Sequence, residues 1–360
     1  EGAFIRERML DLVAADLGID PAQLRLNNLV RPDEMPYTVG LTRIDGKETV
    51  FDSGNYPSAF KKALEVIDYD SIKALQGVQK DGKYHGIGIA TFVNDDTIDP
   101  VTLARAIEER GFESLAVAEH SHIPASRESA YPLGGDLPSI YYRTLDPFVT
   151  LAAAAAVTSR IDLITGIALL IQRDPITTAK EAASVDVISG GRFVFGVGAG
   201  WNLEEMRDHG TDPGTRGALL DERIEAIKEL WTAEPAEYHG RYVDFDSSYQ
   251  RPKPVREPHP PVYIGGDSDA TVRRIIRHRA GWISNPLPAD RLARRVAQIR
   301  ENADYCVPLM IFAAPPDPDY WRAAEDVGFD HVGLLLPTKP RDASLRILDD
   351  LAEKVGRYGG

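Results

Sequence analysis

RDPITTAKEAASVDVISGGRFVFGVGAGWN (residues 173–202) holds one helix-to-strand passage of the chain. Asp174-Pro175 opens a helix, and the run from Asp174 to Ile188 carries it. Arg192 to Val197 is then an apolar stretch without strict alternation. That pattern suits a strand of a parallel sheet covered on both faces. Gly196-Val-Gly-Ala-Gly200-Trp201-Asn202 comes at the end of that strand.

The same alternation recurs on both sides. Upstream, strands are expected at Gly86 to Val93, Ser114 to Ala118 and Ile161 to Ile167. Helices separate them, one from Asp99-Pro100 to Arg110-Gly111 and one from Leu145 to Thr158, opened by Asp146-Pro147. In each, aspartate caps the first amides and proline fits the first turn. Downstream, a helix over Gly214 to Trp231 precedes strands at Pro261 to Ile264, Gly281 to Ile283, Cys306 to Phe312 and His331 to Leu336. Helices at Asp269 to His278, Ala289 to Asn302, Asp317-Pro318 to Val327 and Asp342 to Val355 follow those strands. Eight strand-helix pairs in roughly 270 residues is the size of a (β/α)8 TIM barrel. An open doubly wound sheet is the competing arrangement, and the barrel is the expected fold.

Two connections are long, Glu119 to Thr144 after strand two and Trp201 to Pro260 after strand four. The second contains a helix and a hairpin over Ala236 to Asp246. Both insertions fall on the face where barrel active sites form. Residues 1–86 read differently, as a small α+β segment ahead of a barrel over 87–356. It has a helix (Phe4 to Leu17), a Gly18-Ile-Asp-Pro21 turn, a polar loop with Pro32 and Pro36, an Asp52-Ser-Gly turn and a helix (Pro57 to Ile67). The chain begins at Glu1 within that first helical stretch, which points to a terminus left by processing, cloning or an incomplete gene model.

The net charge of −14 argues against general nucleic-acid or anionic-membrane binding, which draws its affinity from Lys and Arg. One cysteine, Cys306, rules out an internal disulfide and a cysteine-based metal cluster, and the cytoplasm is the expected compartment. The longest apolar run, Leu163 to Ile171, is far short of the roughly 20 residues of a membrane span, and no signal peptide is visible.

Four groups could carry chemistry. Glu119-His120-Ser-His122 ends strand two, where His120 could shuttle a proton near a cofactor. The plainer reading is a loop histidine with one local hydrogen bond. A metal reading of His120-Ser-His122 lacks further ligands, since strands five, six and eight end in Gly265-Gly266, Ser284-Asn285 and Pro337-Thr338. No metal is expected. The glycines from Gly196 to Gly200 let a flat ring or phosphate approach the backbone, although a tight turn explains them equally. Gly265-Gly266-Asp267-Ser268 ahead of a helix could cradle a phosphate or be a plain capped turn. Thr165-Gly166-Ile167 marks a bulge or close backbone approach in strand three.

Together these residues resemble the luciferase-like monooxygenase superfamily, from about Gly88 to Val355. The stretches that carry the resemblance are IDPVTLARAIEERGFESLAVAEHSHIP (98–124), residues 173–202, RIEAIKELWTAEPAEYHGRYVDF (223–245) and RPKPVREPHPPVYIGG (251–266). Within it the chain is similar to the subgroup assigned to the deazaflavin coenzyme F420. The resemblance implies a cofactor ring at the barrel mouth with His120 facing ring and substrate. It implies that Gly166-Ile167 forms a bulge, often a non-prolyl cis peptide, against one ring face. Asn202 would bond the ring or its side chain, and Gly265 and Gly266 the phosphate. Glu119, Gly198 and Ser268 complete the expected cofactor contacts. Ala199 stands where sugar-phosphate dehydrogenases of the superfamily carry Glu, so a sugar phosphate is disfavoured and the acid is left unassigned, with His120 the best candidate.

The implied activity is hydride transfer between F420 and a small organic substrate. The alternatives are an FMNH2-dependent monooxygenase served by a flavin reductase, and a non-catalytic flavin-binding barrel. A homodimer is the family habit. ERMLDLVAADLGIDPAQLRLNNLVRPDEMPY (7–37) and DSGNYPSAFKKALE (52–65) resemble another family, the molybdopterin-binding large subunit of the xanthine dehydrogenase/aldehyde oxidase class. The glycine-rich cofactor residues and catalytic Glu of that class are missing, so no molybdenum chemistry is expected. Such a fragment buries little core and is expected to be less stable than the barrel.

Overall fold

The computed structural model describes residues 13–14, 16–42, 48–51, 55–66, 89–91, 98–132 and 134–358. The chain divides into two compact units, Glu1–Lys83 and Tyr84–Gly360. In the first, Asp20 caps a helix over Pro21–Asn28, its Oδ1 accepting from Ala22 N at 2.8 Å and Gln23 N at 3.0 Å. Strands β1 (Tyr37–Thr42) and β2 (Glu48–Phe51) pair antiparallel, and a helix spans Tyr56–Val66. Most of the expected helix over Phe4 to Leu17 and the Asp52-Ser-Gly turn lie outside the described residues.

The second unit is a parallel barrel. Its eight strands are β3 (Ile89–Thr91), β4 (Ser114–Val117), β5 (Asp162–Thr165), β7 (Phe193–Gly198), β10 (Val262–Gly265), β11 (Gly281–Ser284), β12 (Leu309–Ala314) and β13 (His331–Leu336). Each pairs in parallel with the next, and β13 pairs back with β3 through Leu334 and Ile89. The ends of the expected first strand, 86–88 and 92–93, lie outside the described residues. A two-residue strand, β6 (Ala168–Leu169), adds to β7.

Local sequence explains the helices. Asp99, Asp146, Asp174 and Asp317 each cap a helix whose first residue is proline. Their carboxylates accept from Thr102 N, Val149 N, Thr177 N and Asp319 N at 2.7–3.0 Å. Alternate residues of each strand face opposite ways. Ala116, Ile164, Val194, Tyr263, Ile283 and Met310 fill the barrel interior. Leu115, Leu163, Phe193 and Phe195 face the helices instead.

Three of the boundaries that differ from expectation have a local cause. Strand seven begins at Leu309 rather than Cys306, because Pro308 has no N–H to donate to a sheet, and Cys306 is exposed. Strand three stops at Thr165, where the chain turns through a cis Gly166-Ile167 peptide. The helix after strand four starts at Arg216, since Asp212 Oδ1 first accepts from Gly214 N at 2.9 Å in a turn. That second insertion also holds a short helix, Leu203–Asp208, and a hairpin of β8 (Ala236–His239) with β9 (Asp244–Ser248). Among the described residues no helix is long and apolar enough to cross a membrane.

Candidate active site

A cavity of about 640 Å³ opens at the C-terminal ends of the strands. Its walls come from Glu119 and His120 after β4, Gly166 and Ile167 after β5, and Ala199 to Trp201 after β7. Gly265 to Ser268 at and beyond the end of β10, Asn285 after β11 and Phe312 in β12 also contribute. The size falls within the usual range for cofactor and substrate sites, roughly 300–1,000 Å³.

His120 is 8% exposed, and its Nδ1 lies 2.7 Å from Glu205 Oε2. Glu205 is fully buried on the Leu203–Asp208 helix. Its other oxygen accepts from Ser121 N at 3.1 Å. Thr144 Oγ1 donates to the His120 carbonyl at 2.8 Å, so backbone and ring are both held. A ring nitrogen this close to a carboxylate can serve as its donor. Tyr141 and Trp201 flank the imidazole, with ring centroids 5.2 and 5.8 Å away. Tyr131 packs on both, and burial pushes the Tyr141 phenol upward.

Glu119 also lines the cavity, yet both its oxygens are engaged. Leu169 N donates to one and Arg173 Nε to the other, each at 2.6 Å. Burial pushes the Glu119 carboxyl up, against the pull of Arg173. Arg173 also pairs with Asp146 and Glu181, and lies 4.6 Å over the Phe148 ring.

Ile167 explains the glycines around it. A Cβ on Gly198 would lie 2.1 Å from Ile167 Cδ1, and one on Gly265 3.2 Å from it. A Cβ on Gly166 would meet the Phe312 ring at 2.6 Å. Ala313, next to Phe312, has a left-handed φ of 61°, where the β12–β13 register shifts between Ile311 and Ala314. At Gly266 φ is +124°, which favours glycine. Ser268 caps the Asp269–His278 helix, its Oγ accepting from Thr271 N at 3.1 Å. Arg216 and Arg274 line the same cavity, and Arg274 Nε donates to Asp221 at 2.9 Å.

The structure thus brings His120, Glu119, Gly166, Ile167, Gly265, Gly266 and Ser268 to one cavity. Gly198 and Asn202 are not on its wall. Gly198 makes room for Ile167. Asn202 is 1% exposed, and its amide nitrogen and oxygen both lack a partner. His122 sits apart on the exposed side, its Nε2 3.0 Å from Asp208.

Sequence reasoning missed Glu205, Tyr131 and Tyr141, and gave Arg173 no role beyond a helix start. The acidic pair Glu204-Glu205, just after the glycine-rich turn, was a usable signal. Glu204 accepts from Ser129 N at 2.8 Å and from Ser129 Oγ, tying one insertion to the other. Burial acts to raise its carboxyl, but the bonds from Ser129 and Glu128 outweigh it and bring it down to about 2.

Comparison with known proteins decides the family. The model of the luciferase-like monooxygenases matches residues 91–327. The chain belongs to that family. It is an oxidoreductase. It is 40% identical over 277 residues to an uncharacterised protein of Mycobacterium tuberculosis (strain ATCC 25618 / H37Rv), covering 74% of this chain and 98% of that one. A shorter match, 30% over 132 residues and 36% of each chain, joins it to the FMNH(2)-dependent dimethylsulfone monooxygenase of Pseudomonas putida. Among solved structures, monooxygenase RslO1 of Streptomyces bottropensis superposes with a TM-score of 0.64 at 20% identity, over 77% of this chain and 100% of that one. The coenzyme F420 dependent tetrahydromethanopterin reductase of Methanopyrus kandleri superposes at 0.58 and 16% identity, over 76% and 98%. Both likenesses are of fold.

Proposed function

We propose that the barrel mouth binds coenzyme F420 and that the chain moves a hydride between this deazaflavin and a small organic substrate. The observation that carries the reading is His120, a buried imidazole held on one nitrogen by Glu205, in the wall of a cavity of about 640 Å³. When bound, the cofactor supplies hydride chemistry at carbon five of its ring. The chain's part is to bind, orient and handle the proton.

The residues suit such a group. Ile167, Gly166 and Phe312 offer an apolar wall for a flat ring. Gly265, Gly266 and the helix start capped by Ser268 suit a phosphate, with Arg216 and Arg274 adding positive charge. Gly198 serves the site by seating Ile167, and Glu119 by fixing Leu169 N and Arg173. His120 then holds or takes the substrate proton at Nε2.

A second reading is an FMNH2-dependent monooxygenase fed by a separate flavin reductase. The identity to the Pseudomonas putida enzyme favours it. Titration of the purified chain with F420 and, separately, FMN separates the two, with Trp201 fluorescence as readout. Micromolar F420 binding with weaker FMN binding supports the deazaflavin enzyme. The reverse preference transfers the site to FMN and oxygen. We read residues 1–86 as a fragment like the molybdopterin-binding large subunit, without molybdenum chemistry. Stoichiometric molybdenum in the purified chain would overturn that.

A further inference from the structure

We propose that Glu205 is the positioning residue for His120: it selects the tautomer with Nδ1–H and leaves Nε2 as the atom that exchanges a proton with the substrate. The inference rests on the reading of the barrel mouth as an oxidoreductase site. Glu205 lies 85 residues along the chain from His120, on the short helix of the other insertion. Its side chain is fully buried, and the His120 side chain is 5% exposed. A buried carboxylate is costly unless it is paired and hydrogen-bonded. Here Oε2 faces His120 Nδ1 at 2.7 Å, and Oε1 accepts from Ser121 N at 3.1 Å, with Ser121 Oγ at 3.4 Å.

Those contacts do two separate things. The Ser121 N–H is a fixed backbone donor, so Oε1 pins the chain beside His120 whatever the protonation of the ring. Among the described residues Oε2 is hydrogen-bonded to the imidazole alone, and it sets which nitrogen carries the proton. Among the described residues no protein group is bonded to Nε2. Ser121 Oγ also meets His209 Nε2 at 2.6 Å and His122 Nδ1 at 2.9 Å, so the outer side of the pair is closed by polar groups. The inner side is the cavity.

The chemistry balances with the deazaflavin as acceptor. The bound cofactor would supply the hydride acceptor, and the proton that the substrate releases as it is oxidised would bond to His120 Nε2. The imidazolium that forms is held against the Glu205 carboxylate. Reduction runs the same transfers backwards.

The test uses the full chain, first without cofactor. Imidazole 15N NMR of the neutral ring, with the His120 signal assigned by its loss in His120→Asn, is expected to show a protonated Nδ1 and a bare Nε2. Glu205→Gln keeps the size and an oxygen for Ser121 N, but its amide can donate to Nδ1. The proton is then expected on Nε2. In the loaded enzyme kcat should fall by roughly 10²–10⁴-fold, as for loss of a working acid-base group, with cofactor Kd unchanged within about threefold. A wild-type spectrum with the proton on Nε2 overturns the proposal, even if the variant does not fold. So does an unchanged kcat in a variant whose tautomer has switched. Failure of the chain to bind either F420 or FMN would instead defeat the functional reading, and the spectrum would still report on Glu205.

Discussion

Arg173 Nε lies 2.6 Å from Glu119 Oε1, and this pair anchors the cavity wall to the outside of the barrel. The same guanidinium reaches Asp146, the cap of one helix, and Glu181 within the next. Arg173→Met leaves Glu119 buried without its cation. Breaking such a pair costs about 3–5 kcal/mol. Chemical denaturation should show a loss of that order, and Glu119→Gln in the same chain should recover part of it. A change below about 0.5 kcal/mol, the size of an exposed pair, would refute this role.

Helix caps that share one sequence pattern should differ in weight. Asp174 accepts from Thr177 N at 2.7 Å and takes no part in the Arg173 ion pairs. Asp174→Ala should cost about 1 kcal/mol. Asp146 caps through Val149 N at 3.0 Å and also pairs with Arg173. Asp146→Ala should therefore cost more, and the excess should vanish in an Arg173→Met background. Thermal melts of the three single variants and of the Asp146→Ala/Arg173→Met double variant measure this.

Glu204 makes the link between the two insertions pH-dependent. Its carboxyl sits at about 2 in the folded chain against an ordinary 4.5. A carboxyl held low in the fold stabilises it above the unfolded value, and that stabilisation drains away as pH falls. Glu204→Gln should cost about 1.5–3 kcal/mol at neutral pH, the worth of hydrogen bonds to a charged group. The gap between wild type and variant should shrink as pH drops from 4.5 towards 2. A gap that stays constant across that window contradicts the assignment.

Gly198 and Ile167 form a size-matched pair. Gly198→Ala places a Cβ 2.1 Å from Ile167 Cδ1, and the flexible end of Ile167 must move. Cofactor affinity is expected to fall by about tenfold or more, the effect of about 1.4 kcal/mol. Ile167→Val removes the clashing methyl, so the double variant should regain binding. Titration of the three variants with F420 or FMN gives the answer. Gly196→Ala has no such rescue, because its Cβ would lie 2.0 Å from the Thr165 carbonyl oxygen, which is backbone. That variant should lose stability instead.

The alternation of strands and helices, the Asp-Pro helix starts and the glycine-rich strand ends were all legible in the chain itself. They are local facts, set by backbone chemistry within a few residues. His120, Gly166-Ile167 and Gly265-Gly266 could be marked because a barrel strand's last residues must lie at its mouth. The start of strand seven at Leu309 was misplaced because apolar Val307 hides the effect of Pro308 on sheet pairing.

What the chain read in a line could not say is which residues meet across it. Glu205 reaches His120 over 85 residues, Arg173 reaches Glu119 over 54, and Ile167 fills the space left by Gly198. In sequence, Glu205 is an ordinary acidic residue in the first turn of a short helix. Only barrel closure buries it, and burial is what obliges a carboxylate to find an imidazole and an amide. The sequence by itself determined the barrel and the face that carries the site. Tertiary packing decided which carboxylate meets His120 Nδ1, because partners that far apart are chosen by the fold and not by spacing.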